Sequence, residues 1–160
     1  STATTVFPTA QTSSIFYLGN SGLVNGSGRT YIAYCFAEKK GYSKFGSYTG
    51  NGSTDGTFVY TGFKPAFVLI KRVNSAAHWV LRDNKRDSYN YTYKTLKPDA
   101  NNAEAGDSNY NRVDFLSNGF KLRGGSSGSG TDTNGSGDTY IYMAIGQSLV
   151  GSNNVPCTAR

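Results

Sequence analysis

An internal repeat constrains the fold of this chain more than any other feature of its sequence. Residues 30–37, TYIAYCFA, return 109 positions later as TYIYMAIG at residues 139–146. The same Asn-Gly-Ser-Gly loop stands before both segments, starting at Asn25 in the first copy and at Asn134 in the second. A loop followed by an apolar segment, present twice, indicates one structural unit that is repeated.

A second match lies upstream of each loop, where residues 16–19, FYLG, correspond to FKLR at residues 120–123. The second copy has five more residues between its two parts, all in a Gly/Ser-rich connection. Surface loops of this kind tolerate insertions. We therefore predict a doubled unit that consists of a strand, a Gly/Ser loop and a second strand.

Composition assigns the chain to the all-β class. It has 20 Gly, 12 Tyr and 9 Phe but a single Met, and no long segment follows a helical period. Its 160 residues suffice for one domain that buries roughly 70% of its unfolded surface. About ten short strands without helical crossovers predict an antiparallel β-sandwich of jelly-roll type.

We predict three regions along the chain. Residues 1–14 form a polar N-terminal arm or edge strand, residues 15–146 form the β-sandwich domain, and residues 147–160 form a C-terminal tail. Within the sandwich, residues 31–37 are apolar or aromatic on both faces, which predicts a strand at the centre of its sheet. The sequence opens part-way through the repeat, so we expect it to be a portion of a longer polypeptide.

The net charge of +6 favours some partners over others. The basic side chains are dispersed rather than gathered in one stripe, so no nucleic-acid partner is predicted. No apolar run approaches the roughly 18 residues of a membrane span, so no membrane insertion is predicted. A weakly basic surface suits an anionic partner such as a cell-envelope polysaccharide, although solubility alone also explains it.

No residue pattern predicts an enzyme. His78 is the only histidine and has no nucleophile-elbow sequence, so we expect it to make ordinary contacts at a strand edge. Paired carboxylates could cleave a glycosidic bond, but nearly all candidates stand in loops and no pair is indicated. These carboxylates are Asp55, Asp83, Asp87, Glu104, Asp107, Asp114, Asp132 and Asp138. We predict no catalytic residue and no cofactor.

The two cysteines form no metal or redox pattern. Cys35 lies within an apolar segment and is predicted to be a small buried side chain, whereas Cys157 lies in the tail. A disulfide bond between them is the alternative.

A row of aromatic residues is the main candidate for a binding site. Tyr89, Tyr91 and Tyr93 alternate along one predicted strand, so their rings face the same side, and Trp79 is near them in sequence. An exposed row of rings can stack on sugars and would form a glycan site. The same period of two is typical of a buried sheet face, so a core role is the alternative.

The loop at residues 132–138, DTNGSGD, is a weaker candidate for a calcium site. Asp132, Asn134 and Asp138 place side-chain oxygen atoms at intervals along it. In the first copy Arg29 stands at the position of Asp138, so a cation site is not part of the repeated unit. A flexible turn is the alternative, and no metal is predicted.

Three stretches of the sequence resemble a known phage domain. They are residues 31–72, 78–90 and 114–123, which contain GYSKFGSYTGNGSTDGTFVYTGFKPAFVLIKR, HWVLRDNKRDSYN and DFLSNGFKLR. They are similar to the repeated domain in large virion structural proteins of tailed phages, in particular tail-fibre-like proteins of aquatic phages. The resemblance covers about residues 16–145. It implies a β-rich, multimeric virion component exposed outside the cell, and it implies no catalytic residue.

The sequence therefore predicts a non-enzymatic virion module at the particle surface, tail-fibre-like or capsid-decorating, which self-assembles and presents loops to the host. Its expected partners are copies of itself, other virion proteins and host surface polysaccharide. Two other classes stay open: a polysaccharide depolymerase of the tailspike type, and a carbohydrate-binding, lectin-like module.

Overall fold

The computed structural model describes residues 5–7, 12, 14–106, 111–124 and 131–147. The chain forms two compact units, Ser1–Phe36 and Ala37–Arg160. Regular structure in the described ranges consists almost entirely of strands, all of which belong to the second unit. None of the helices in these ranges has the length and apolar character that crossing a membrane requires. The all-β prediction is confirmed.

Short antiparallel strands build the second unit. The described elements are α1 (Gly22–Asn25), β1 (Ser43–Thr49), β2 (Phe58–Tyr60), β3 (Pro65–Arg72), β4 (Trp79–Asp83), β5 (Lys94–Thr95), β6 (Ala105–Gly106), β7 (Val113–Leu116), β8 (Gly119–Leu122), α2 (Thr131–Asn134) and β9 (Thr139–Gly146). They form a four-stranded sheet in the order β1-β9-β3-β4, a three-stranded sheet in the order β2-β8-β7, and a pair of β5 with β6. Every strand pair is antiparallel.

The second copy of the repeated segment, β9, lies inside the four-stranded sheet between β1 and β3. Its side chains alternate between two environments. Tyr140, Tyr142 and Ala144 are buried, whereas Ile141 is 41% exposed. Successive side chains of a strand point to opposite faces of the sheet. The face of β9 that carries the two tyrosines therefore covers the core.

One hydrophobic core joins the two larger sheets. Phe120 of β8 is fully buried. Its ring packs edge to face on Tyr142 of β9 and on Tyr48 of β1, with ring centroids 5.4 Å and 6.2 Å apart. Such ring pairs add to the free energy that burial provides. The other core side chains are Val59, Phe63, Val68, Ile70, Val113, Phe115, Leu122, Tyr140 and Ala144. Two antiparallel sheets that share one core form the predicted β-sandwich; its jelly-roll connectivity stays a prediction.

The first unit contains the first copy of the repeat, and its described residues contain no strand. Residues 15–18 and 31–37 are not part of any sheet, and Cys35 is an exposed free thiol. Backbone groups of β9 bond to neighbours on both sides, whereas the first copy has no such ladders, and strand propensity alone does not sustain a lone strand. The predictions of a central strand and a buried Cys35 are therefore wrong. Cys157 lies outside the described residues.

The loop before each copy, in contrast, adopts the same conformation twice. In both copies a four-residue helix ends at the asparagine that begins the loop. This helix is α1 in the first copy and α2 in the second. The second glycine of the loop is left-handed in both, with φ of 69° at Gly28 and 75° at Gly137. Glycine adopts this conformation without a steric penalty. The repeat in the sequence is thus a repeat of backbone structure at this loop.

A tyrosine hydroxyl closes the loop in both copies. The Gly26 N–H donates to the Tyr31 hydroxyl at 2.9 Å, and the Gly135 N–H donates to the Tyr140 hydroxyl at 2.7 Å. Burial raises the pKa of Tyr140 to about 12, so its hydroxyl keeps its proton at neutral pH. The two bonds join equivalent positions of the repeat. The closed loop is a local structure that forms with or without the sheet.

Replacing Phe120 by alanine should destabilise the second unit by about 3–5 kcal/mol, because the buried ring is lost and a cavity remains. Phe58 is the matched control: it lies on the neighbouring strand β2 and is 43% exposed. Phe58→Ala should cost less than about 1.5 kcal/mol. Urea unfolding followed by the fluorescence of Trp79 measures both changes. Equal losses for the two variants would contradict the assignment of the core.

Replacing Tyr140 by phenylalanine should destabilise the second unit by about 1–3 kcal/mol, because the buried Gly135 N–H loses its acceptor. Tyr31→Phe removes the equivalent hydroxyl from an exposed loop, where water can accept the bond. Tyr31→Phe should therefore change the free energy of unfolding of the second unit by less than about 0.5 kcal/mol. Urea titration of both variants tests the pair, and a larger loss for Tyr31→Phe would refute it.

Candidate ligand-binding cleft

The three predicted site tyrosines lie in the connection between β4 and β5, outside any strand. Thr92 forms a single bridge with Val113 of β7, in which each N–H donates to the carbonyl of the other residue. The Asn90 side chain makes two bonds of 2.9 Å with the Phe115 backbone. Side-chain bonds of this kind take the place of a ladder. The segment follows the edge of β7, and the prediction of a strand here is wrong.

Asp87 holds the tyrosine segment in place, and Asp83 orders the turn that precedes it. Asp87 is buried and accepts bonds from the N–H groups of Tyr93 at 2.8 Å and Lys94 at 2.7 Å. Asp83 accepts a bond from the Arg86 N–H at 2.9 Å and pairs with the Arg86 Nε at 2.5 Å. Charged acceptors form strong bonds with N–H donors. These contacts order a segment that has no regular secondary structure.

All three tyrosines are exposed, so they do not form a buried sheet face. The exposed fraction is 86% for Tyr89, 41% for Tyr91 and 36% for Tyr93. The Tyr91 and Tyr93 rings meet edge to face, with centroids 6.5 Å apart. Trp79 is half-buried on β4, and in the described part of the chain its ring stacks on none of the three. The structure thus brings together two of the four predicted aromatic residues.

Tyr91 lines an open cleft of about 390 Å³. The Arg112 guanidinium lies over the Tyr91 ring, with 4.1 Å between its Cζ and the ring centroid. A cation in this position is attracted by the negative face of the ring. The other lining residues are Thr54, Asn90, Asp114 and Arg123. The cleft thus combines one aromatic ring with five polar side chains, a composition that suits a polar ligand rather than an apolar one.

Opposite charges alternate beside the cleft. Arg123 pairs with Asp114 at 2.5 Å and lies 3.5 Å from Asp55, which also pairs with Lys121 at 2.7 Å. The hydrogen bond from Lys121 and its positive charge lower the pKa of the Asp55 carboxyl below its usual value. Asp55 is therefore ionised at neutral pH. It does not supply the protonated carboxyl that a glycosidase needs as its general acid.

The polar half of the cleft was not predicted from the sequence. Arg112 and Arg123 were not among the candidates, and Asp114 was considered only as a dispersed carboxylate. The Ser-Asn-Gly sequence at residues 117–119 is typical of a hairpin turn, and it carries the signal that could have found them. Counting outward from this turn in register places Arg112 opposite Arg123, and the Arg123 N–H indeed donates to the Arg112 carbonyl at 2.8 Å.

Protein contacts occupy two of the three side chains of the weak calcium candidate. Asn134 is fully buried and bonds to Asn51 through its Nδ2 at 3.0 Å and its Oδ1 at 3.1 Å. Asp138 pairs with Arg72 at 3.0 Å, and Asp132 is half-buried in α2. Within the described ranges, no three His, Cys, Asp or Glu side chains gather as a metal site would require. The loop is a turn that is held by hydrogen bonds and an ion pair to the neighbouring protein.

The remaining catalytic candidates make ordinary polar contacts. His78 Nδ1 lies 3.3 Å from Asp99 Oδ2, with both side chains open to solvent. Glu104 pairs with Arg86 at 2.9 Å, and Asp107 lies outside the described residues. Surface ion pairs contribute roughly 0–1 kcal/mol each.

Acid should weaken the contact between Asp83 and Arg86. Burial alone would raise the pKa of Asp83, but bonds from the Arg86 backbone and side chain bring it below its usual value. Such a carboxyl stabilises the fold above its unfolded pKa, about 3.9, and this contribution disappears as the pH falls through the folded pKa. Asp83→Asn should lower the free energy of unfolding by about 1 kcal/mol at about pH 6, and by progressively less as the pH falls through the folded pKa of Asp83. Urea titrations over a series of pH values measure this, and a loss that stays constant with pH would exclude an electrostatic origin.

Comparison with curated proteins and with solved structures finds no match. One family model, described as a domain of unknown function (DUF7483), matches residues 1–148. The match includes the whole first unit and the described part of the second up to β9. Because it covers more than half of the sequence, the match establishes family membership, although the description names no activity. The chain belongs to the DUF7483 family.

Proposed function

We propose that this chain is a non-enzymatic structural and adhesion module of a virion, tail-fibre-like or capsid-decorating, whose cleft binds acidic polysaccharide on the host surface. The observation that carries the proposal is the exposed Tyr91 ring in an open cleft, with the Arg112 guanidinium over it. The two packed sheets give this cleft a rigid support. Binding sites commonly lie on loops that such a scaffold positions.

The cleft has the two kinds of group that sugar recognition requires. The part of the Tyr91 ring that Arg112 leaves exposed offers an apolar surface on which the C–H groups of a sugar ring can pack. Thr54 and the two arginines offer donors for hydroxyl and carboxylate oxygens. The Tyr93 and Tyr91 rings meet edge to face, which restricts the orientation of Tyr91 before a ligand arrives. A site that is already ordered loses less entropy on binding.

An acidic sugar suits the charges around the cleft. The whole chain has a net charge of +6. Beside the cleft, Arg112, Arg123 and Lys121 outnumber the carboxylates of Asp55 and Asp114. Arginine binds carboxylates through two parallel hydrogen bonds, which gives both affinity and orientation. Polysaccharides of uronic acids combine a carboxylate with a stackable ring and meet both requirements.

The carboxylates beside the cleft favour binding without cleavage. Glycoside hydrolysis uses a pair of carboxyl groups, one of which donates a proton. Lys121 keeps the pKa of Asp55 low, and Asp114 is paired with the Arg123 Nε at 2.5 Å. Both carboxylates thus act as partners of basic side chains. This arrangement favours a lectin-like adhesion site over a depolymerase.

The virion setting of the proposal has two supports. One is the resemblance to the repeated domain of tailed-phage structural proteins. The other is the loop that recurs in the two units with the same hydrogen bond. Proteins built from repeated units extend by adding copies, and each copy contacts its neighbours. Assembly with further copies or with other virion proteins belongs to the proposal.

Removing the Tyr91 ring should weaken binding to an acidic polysaccharide about tenfold, because a stacked ring contributes roughly 1–1.5 kcal/mol. Alginate, a polymer of uronic acids, is the probe, and neutral dextran is the reference ligand. Tyr60→Ala is the matched control, because Tyr60 is 59% exposed and has Lys44 Nζ 5.6 Å from its ring centroid but does not line the cleft. Biolayer interferometry on immobilised polysaccharide measures the affinities.

Three results would contradict the proposal in different ways. New reducing ends in the alginate would make the protein a depolymerase. Equal affinity for alginate and dextran would exclude recognition of the carboxylates. Equal losses of affinity for alginate in Tyr91→Ala and Tyr60→Ala would show that the polysaccharide does not bind at the cleft.

A further inference from the structure

We propose that residues 30–37 form the strand equivalent to β9 in a second β-sandwich. They would insert between two strands, equivalent to β1 and β3, of a further repeat of this domain that is related to the second unit in sequence but not identical with it. The inference concerns the first unit and does not depend on the polysaccharide site. The second unit defines the partner: two strands of one sheet, with the place between them empty.

The first unit carries an apolar groove of about 820 Å³. Phe16 and Leu18 line it together with every residue from 31 to 36. At its rim, Ile32 is 80% and Tyr34 is 82% exposed. A contiguous apolar surface of this kind marks an interaction site. The segment that resembles β9 is thus also the segment whose apolar side chains lie open.

The second unit shows what happens to the same positions when partner strands are present. There the equivalent segment is β9, which is bonded to β1 and β3, and its Ala144 is fully buried. Ala144 aligns with Cys35, which is exposed. Ile141 aligns with Ile32 and remains 41% exposed even within the sheet. A completed sandwich should therefore bury Cys35 and leave Ile32 accessible.

The first unit already has the local structure that precedes β9. The Gly26 N–H bonds to the Tyr31 hydroxyl as the Gly135 N–H bonds to the Tyr140 hydroxyl. These bonds set the point at which the extended segment leaves the loop. The loop is closed in the same way in both copies, but among the described residues only the second copy has neighbouring strands. Insertion therefore requires no rearrangement of the loop, which lowers the entropy lost on pairing.

Two differences between the copies show that the partner is related to the second unit but not identical with it. In the second unit Asp138 pairs with Arg72 of β3, whereas Arg29 at the equivalent position would meet Arg72 with a like charge. Ala33 replaces the buried Tyr142 and would leave a cavity. In a second molecule of this chain, moreover, the place is filled by its own β9. The partner is a copy without a basic residue at the position of Arg72.

The test supplies the partner strands within the same polypeptide. The match upstream of the loops aligns Ser1 with Ala105, so a copy of residues 37–104 placed ahead of Ser1 continues the repeat in register. In this added copy Arg72→Asp allows a pair with Arg29. A second extended chain keeps Arg72 as the matched control. Both extended chains are compared with the unextended protein.

Thiol reactivity reports insertion of the strand. With Cys157→Ser in every variant, Cys35 is the only thiol, and its rate of maleimide labelling should fall at least roughly 10-fold in the extended chain. The control, Cys35→Ala with Ile32→Cys, should change less than about threefold, because this position stays accessible in a complete sheet. Ala33→Tyr, which restores the ring of Tyr142, should protect Cys35 further. The extended chain that keeps Arg72 should protect it less.

Any other pattern overturns the inference. Unchanged labelling of Cys35 in the extended chain, including the Ala33→Tyr variant, means that the segment does not complete a sandwich. Equal protection at positions 32 and 35 means non-specific burial of the groove. A dimer of the unextended protein, measured by light scattering, with Cys35 already protected would make a second molecule the partner instead.

Discussion

The two hydrogen-bond ladders on β9 are the interaction on which the second unit depends. β1 pairs with β9 from Thr49 to Ser43, and β3 pairs with its other edge from Pro65 to Arg72. Peptide groups that leave water need partners, so the tyrosines of β9 can cover the core only when both neighbouring strands are present. Phe120 of the second sheet then packs against the rings that these ladders hold in place. The first unit shows a related segment, with the same Thr-Tyr-Ile start, in the state that it adopts without such neighbours.

The class of fold could be predicted from sequence because it follows from local patterns. A continuous apolar run with β-branched residues at 66–70, and the Ser-Asn-Gly sequence at 117–119, indicate a strand and a hairpin without reference to distant residues. The state of residues 30–37 could not be predicted in this way. The same pattern forms a strand in the second copy and none in the first, and the difference lies in partners that are remote in the sequence.

The tyrosine segment illustrates a second limit. Tyr89, Tyr91 and Tyr93 have the period of a strand, but the side chains of Asn90 and Asp87 bond to backbone groups and order the segment in another way. The alternation of residues in the sequence does not reveal side-chain hydrogen bonds that compete with strand formation. The sequence therefore identified the aromatic residue of the cleft, but it predicted the wrong backbone conformation for the segment that carries it. The arginines could be placed by hairpin register, whereas the approach of Asp55 to Arg123 depends on how separate loops meet.

The tyrosine that closes the repeated loop has a consequence for the order of folding events. Its bond spans five residues in both copies, and so short a closure costs little chain entropy. The strands that flank β9 come from far earlier in the chain, and contacts at such separation form slowly. The loop can accordingly take shape while its strand is still unpaired, as it has in the first unit. Each repeat would then present a finished entry point to the sheet, and the assembly of successive repeats need not follow their order along the polypeptide.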